Sequence, residues 1–74
     1  MESISKMFNI WMEEKRLLYV TVVIKKKGRR SFYGRIIHFS LDEKKIIFYN
    51  EDQSSTESYL FKEIDNIEPA ELLL

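Results

Sequence analysis

Apolar residues recur along this chain with two different periods. Ile4, Met7, Phe8 and Trp11 fall at i, i+3, i+4 and i+7, one face of a helix. Lys6, Asn9, Glu13 and Glu14 occupy the opposite side. The spacing predicts a helix over 4–16, with Ser3 or Ser5 as its N-cap. Its apolar face, Trp11 included, is expected to pack on the rest of the fold. The alternative use of such a helix is partner docking, with an exposed Trp11 as anchor.

From residue 17 the period shortens to two. Leu18, Val20, Val22 and Ile24 alternate with Tyr19, Thr21, Val23 and Lys25, and β-branched residues dominate, so 17–25 is read as a strand. Lys26-Lys27-Gly28-Arg29 follows as a turn, with Gly28 free to take positive φ. A second strand is expected over 30–41, carrying Phe32, Ile36, Ile37 and Phe39. Gly34 interrupts it and predicts a sharp bend or bulge there. Asp42-Glu43-Lys44 makes a polar turn, 45–50 a third strand, and 51–55 a loop without an apolar residue. A fourth strand over 56–61, a tight turn at 62–64 and a closing strand over 65–69 complete the series, ended by Pro69. The tail 70–74, apolar at its end, is expected to pack on the helix or on a neighbouring chain. A helix and five closely spaced strands imply a meander closed into a small barrel.

Length supports one domain only. A chain of 74 residues buries about 60–65% of the surface its unfolded form exposes, and domains of this size often gain stability by oligomerising. Hydrophobic residues make up 45% of the chain and aromatics 14%, enough for a core, which argues against disorder. The absence of cysteine excludes disulfide scaffolds, zinc ribbons and thiol catalysis. The longest apolar run, 17–24, is too short to span a bilayer, and the first residues lack the pattern of a signal peptide. A cytoplasmic protein that does not enter a membrane is expected. Twelve basic and twelve acidic side chains cancel, so any attraction to nucleic acid must come from local clustering.

Catalytic chemistry finds little to work with. His38 is the single histidine, without the further ligands that a metal needs. Two glycines leave no room for a phosphate-binding loop, and no serine sits in a nucleophile elbow. The carboxylates lie in loops and at the ends of elements, mostly beside lysines, as a solvated surface does. The reading is a binding protein, neither an enzyme nor the holder of a cofactor.

Two features rise above that background. Lys25, Lys26, Lys27, Arg29 and Arg30 place five cations within six positions around one hairpin turn. Phosphates reward such crowding through counterion release; a solubilising turn that blunts a sheet edge is the alternative. The second feature is the aromatic surplus of Tyr19, Tyr33, Tyr49, Tyr59, Phe32, Phe39, Phe48 and Phe61. Strand alternation must turn some of these outward, where beside Arg35, Lys44 or Lys45 they can stack bases; core filling is the competing use.

The order of elements resembles the Sm-like family, and within it the bacterial Hfq RNA chaperones, over residues 8–69. The helix ends in the charged run Glu14-Lys15-Arg16, and Tyr19-Val20-Thr21-Val22 matches the family's first strand. Gly34-Arg35-Ile36-Ile37-His38-Phe39 fits the Gly-x-Ile-x-x-Phe pattern of the bent second strand, and Ile64-Asp65-Asn66-Ile67-Glu68-Pro69 fits the closing segment. Where Hfq proteins carry Tyr-Lys-His, this chain has Leu60-Phe61-Lys62, and Ser40 stands where they have Asp. The resemblance implies a bent five-stranded barrel and rings formed by pairing strand four with strand five of the next subunit. It also implies a single-stranded, U-rich or A-rich RNA ligand. Residues 34–68 also resemble the YolD-like family of Gram-positive bacteria and their phages, small Sm-like barrels associated with translesion polymerases.

The expectation is therefore an all-β chain, a small five-stranded SH3/Sm-like barrel (17–69) with an N-terminal α-helix (4–16) and a short tail (70–74). Its expected function is binding single-stranded RNA as a homo-oligomer, with Lys25, Lys26, Lys27, Arg29, Arg30 and Lys62 at phosphates. The alternative is a small bacterial or phage adaptor that binds a protein partner through an edge strand or Trp11.

Overall fold

A computed structural model describes the backbone of residues 2–70 and the side chains of residues 5–70. Among these residues the order is α1 (Glu2–Glu13), β1 (Leu18–Ile24), β2 (Gly28–Ser40), β3 (Lys45–Asn50), β4 (Ser55–Leu60), the 3₁₀ turn η1 (Phe61–Glu63) and β5 (Ile64–Pro69). The strands form one antiparallel sheet in the order β4-β3-β2-β1-β5. Strand boundaries fall within one or two residues of the expected ones. The expected packing of the tail concerns residues 71–74, which lie outside the described residues; Ala70 is buried, and its N–H donates to the Leu17 carbonyl.

The helix differs from expectation at both ends. It begins at Glu2, so Ser3 and Ser5 lie inside it rather than capping it. It stops three residues early, because Lys15 adopts a left-handed φ of 53°. The Arg16 N–H then donates to the Trp11 carbonyl and the Lys15 N–H to Met12, a Schellman closure. None of residues 13–16 is apolar, so a further turn would bury nothing. The buried face is Phe8, Trp11 and Met12, whereas Met7 is about half exposed. Trp11 is only 8% exposed, so it is a core residue and not an exposed anchor.

The sheet buries one face. Leu18, Val20 and Val22 of β1, Phe32 and Ile36 of β2, and Ile46 and Phe48 of β3 form the core with Tyr59 of β4. Phe32 meets Phe48 edge-on at 5.7 Å and stacks on Tyr59 at 5.9 Å. β2 and β4 are separated by β3 in the sheet, so the second contact spans the buried face instead of following a ladder. Phe8 joins this core to the far end of β2 through Phe39 at 5.5 Å, and to η1 through Phe61 at 5.8 Å.

Gly34 holds a special register. It pairs with Leu18 of β1 on one side and with Asn50 of β3 on the other, so β2 changes partners there. Of the bend or bulge expected at Gly34, the bulge lies elsewhere, between Ile36 and His38, leaving Ile37 outside the pairing. A second irregularity sets Asp65 of β5 apart, between Ile64 and Asn66.

Candidate nucleic-acid interface

The hairpin turn is built from Lys25, Lys26 and Lys27, one residue earlier than expected, and β2 already begins at Gly28. The Lys27 N–H donates to the Ile24 carbonyl at 3.0 Å. Reversing the chain in so few residues needs left-handed backbone, which Lys26 (φ 73°) and Gly28 (φ 83°) supply. All three lysine side chains are exposed.

Arg29 and Arg30 do not belong to that turn. They are strand residues, paired with Val23 and Val22, and successive strand residues point to opposite faces. Arg29 Nη1 therefore reaches Asp65 Oδ2 on β5 at 2.7 Å. Arg30 Nη2 approaches Glu57 Oε2 on β4 at 3.7 Å. Both pairs are solvent-accessible and contribute at most about 1 kcal/mol each, but they offset both arginine charges. The expected patch of five cations is thus three lysines without an ion-pair partner among the described residues, followed by two arginines split between faces. Neither acidic partner is near in sequence, which is why composition around the turn overstated its charge.

Glu57 gathers further partners. Its Oε2 accepts from Asn50 Nδ2 and Ser55 Oγ, both at 3.2 Å, and its Oε1 accepts from the Tyr59 hydroxyl. Burial pushes this carboxyl up, but the Tyr59, Asn50 and Ser55 hydrogen bonds and the Arg30 guanidinium outweigh it and hold it below the usual carboxylate value. Burial first, then the bond to Glu57 and its charge, push the Tyr59 hydroxyl up to about 12. The fully buried Asn50 also accepts the N–H groups of Asp52 and Gln53, which shapes the β3–β4 turn.

Lys62 sits apart from the hairpin turn, in η1. With Lys44, Glu43, Leu41, Leu60 and Phe61 it lines a groove of about 570 Å³. The groove exists because the Phe61 N–H donates to the Lys44 carbonyl at 2.8 Å and ties η1 to the β2–β3 turn. Lys44 is left-handed (φ 56°), which suits a tight reversal. Leu41, half-exposed, and Phe61, packed beneath against Phe8, supply an apolar wall. The sequence signal for this groove is apolar residues directly flanking polar turns, a pattern that does not reveal which two turns meet.

Tyr19, Tyr33 and Tyr49 are partly buried on the face away from the core, whereas Phe32, Phe48 and Tyr59 fill it and Phe39 and Phe61 pack against it. His38 is exposed beside the β2 bulge. Among the described residues no three His, Cys, Asp or Glu side chains are placed to hold a metal ion. None of their helices is long and apolar enough to cross a membrane. No family model, no curated protein and no solved structure matches this chain.

Proposed function

We propose that the sheet is an Sm/SH3-like barrel and that the protein binds single-stranded RNA as a homo-oligomer. The barrel reading is supported by the Phe32–Tyr59 contact across the buried face and by the change of partners at Gly34. The observation that carries the RNA reading is the groove between η1 and the β2–β3 turn. Its Leu41, Leu60 and Phe61 side chains suit the flat face of a base, and Lys44 and Lys62 on its rim suit phosphate. Lys25, Lys26 and Lys27 add a second, base-blind phosphate contact. β4 and β5 are the two edges of the sheet, and pairing one with the other in a neighbouring subunit removes both open edges.

Fluorescence anisotropy with labelled oligouridine and oligoadenosine tests this reading. Binding should weaken at least about fivefold in Lys44→Ala/Lys62→Ala, since each phosphate contact contributes through counterion release. Light scattering coupled to size exclusion should give a mass above that of the single chain. If no oligonucleotide binds even at about 50 mM salt, where phosphate contacts are strongest, the RNA reading fails. The second reading, an adaptor that captures a partner strand on β4 or β5, then takes its place, because open edges template such pairing.

A further inference from the structure

Tyr19 and Tyr33 face each other across the β1–β2 ladder, their ring centroids 5.0 Å apart and inclined at 55°. Both are partly buried, with the remaining surface on the outer face of the sheet. A carboxylate stands at each end of this cross-strand row. Glu68 is the register partner of Tyr19 on β5. Asp52 Oδ2 accepts the Tyr33 backbone N–H at 3.0 Å. Among the described residues neither carboxylate has a cationic partner. Arg35, two residues from Tyr33 on the same face, is already held by the Glu51 carboxylate and the Lys15 carbonyl. In the next row Thr21 and Ser31 bond to each other at 2.9 Å and add no charge.

We propose that this row binds a guanidinium group, the arginine side chain of a partner protein. A planar cation gains from lying on a tyrosine face while its N–H fork reaches a carboxylate at the rim. Phosphate meets two uncompensated carboxylates here and is repelled, which separates this surface from the lysine turn. A lysine ammonium is a compact, strongly hydrated point charge that neither stacks nor forks, so arginine is preferred. The inference does not rest on the RNA reading, and the two ligands occupy different parts of the molecule.

The test is an NMR titration of the full chain with three capped peptides in which glycine alternates with arginine, citrulline or lysine, and with oligouridine. The arginine peptide should shift the amides of Tyr19, Tyr33 and Glu68. The lysine peptide should bind about threefold more weakly and the uncharged citrulline peptide about tenfold more weakly. Glu68→Gln should weaken the arginine peptide about fivefold without moving the melting temperature. Tyr33→Phe should keep binding and Tyr33→Leu should lose it, which separates ring stacking from the hydroxyl. Equal binding of citrulline and arginine overturns the proposal. So do shifts confined to other acidic residues, an unchanged affinity in Glu68→Gln, or oligouridine moving the tyrosine amides in preference.

Discussion

Gly34 lies so close to Tyr49 that a Cβ at position 34 would stand 2.7 Å from the Tyr49 carbonyl oxygen. The ring of Phe32 would be 3.0 Å away on another side. The backbone at Gly34 does not need positive φ, so the requirement is for space alone. It arises where β2 passes from pairing with β1 to pairing with β3, and a carbonyl cannot swing aside as a flexible side chain does. Gly34→Ala should cost about 1–3 kcal/mol and Gly34→Val more, as overpacked sites do. Urea denaturation reads the difference; a wild-type midpoint for Gly34→Val would show that the strand relaxes there freely.

The strands, their order and Trp11 as a core residue were legible because each is written in local periodicity. Gly34 was legible as special, but which of a strand glycine's two uses applies was not. A glycine in a strand signals either a bulge or a close approach, and only the neighbouring strand shows that the approach is here and the bulge at Ile37. The acidic partners of the hairpin's arginines were not legible for a related reason. Arg29 finds Asp65 on β5 and Arg30 finds Glu57 on β4, strands that do not pair with β2 and lie one strand beyond its neighbours in the sheet. The groove joins η1 to the β2–β3 turn through one backbone bond, Phe61 to Lys44, which no local pattern encodes.

Burial of Trp11 at 8% exposure predicts a large loss on truncation. It sits with Phe8, 6.3 Å away, at the base of the core. Trp11→Ala should destabilise by about 3–5 kcal/mol. Met7→Ala and Ile10→Ala, at side chains about half exposed, should stay within about 0.5 kcal/mol. A neutral Trp11→Ala with normal melting would move this residue out of the core.

The Schellman closure of α1 places Lys15 where glycine is the usual residue. A side chain in the left-handed region costs about 1 kcal/mol that glycine avoids. Lys15→Gly should therefore raise stability by about 0.5–1 kcal/mol despite glycine's greater freedom when unfolded. The Arg35 Nε bond to the Lys15 carbonyl uses backbone only and should survive the change. A drop in the thermal midpoint would mean that the lysine stem itself packs.

Stability should fall at both pH extremes through the Glu57–Tyr59 pair. Glu57 is held below its unfolded value, so its contribution is present above that value and is lost as pH falls through the folded pKa. Tyr59 is raised from 10.0 to about 12, so its contribution is complete below the unfolded value and is lost as pH climbs between the two. The alkaline loss is on the order of 2 kcal/mol. Urea midpoints of wild type and Tyr59→Phe should converge between about pH 9 and pH 12, where only wild type has this hydroxyl to ionise. Glu57→Gln should flatten the acid limb in the same way. Parallel curves for wild type and variant would remove the pair from the pH dependence.

Salt dependence separates the lysine turn from the arginines beside it. A single-stranded ligand loses about 0.7 log units of affinity per log unit of salt for each neutralised phosphate. Lys25, Lys26 and Lys27 are exposed and lack acidic partners among the described residues, so together they should contribute a slope of about −2. Arg29 and Arg30 are already offset by Asp65 and Glu57, and should add little. Lys25→Gln/Lys27→Gln should bring that share of the slope near −0.7 and weaken oligouridine and oligoadenosine alike, because phosphate contacts carry no base preference. Lys26, which holds the left-handed turn position, is left in place so that the hairpin is undisturbed. Arg29→Gln should leave the slope nearly unchanged and remove only a surface ion pair, within about 1 kcal/mol. If the double variant keeps the wild-type slope while Lys44→Ala/Lys62→Ala flattens it, phosphate is held at the groove alone and the hairpin lysines serve solubility.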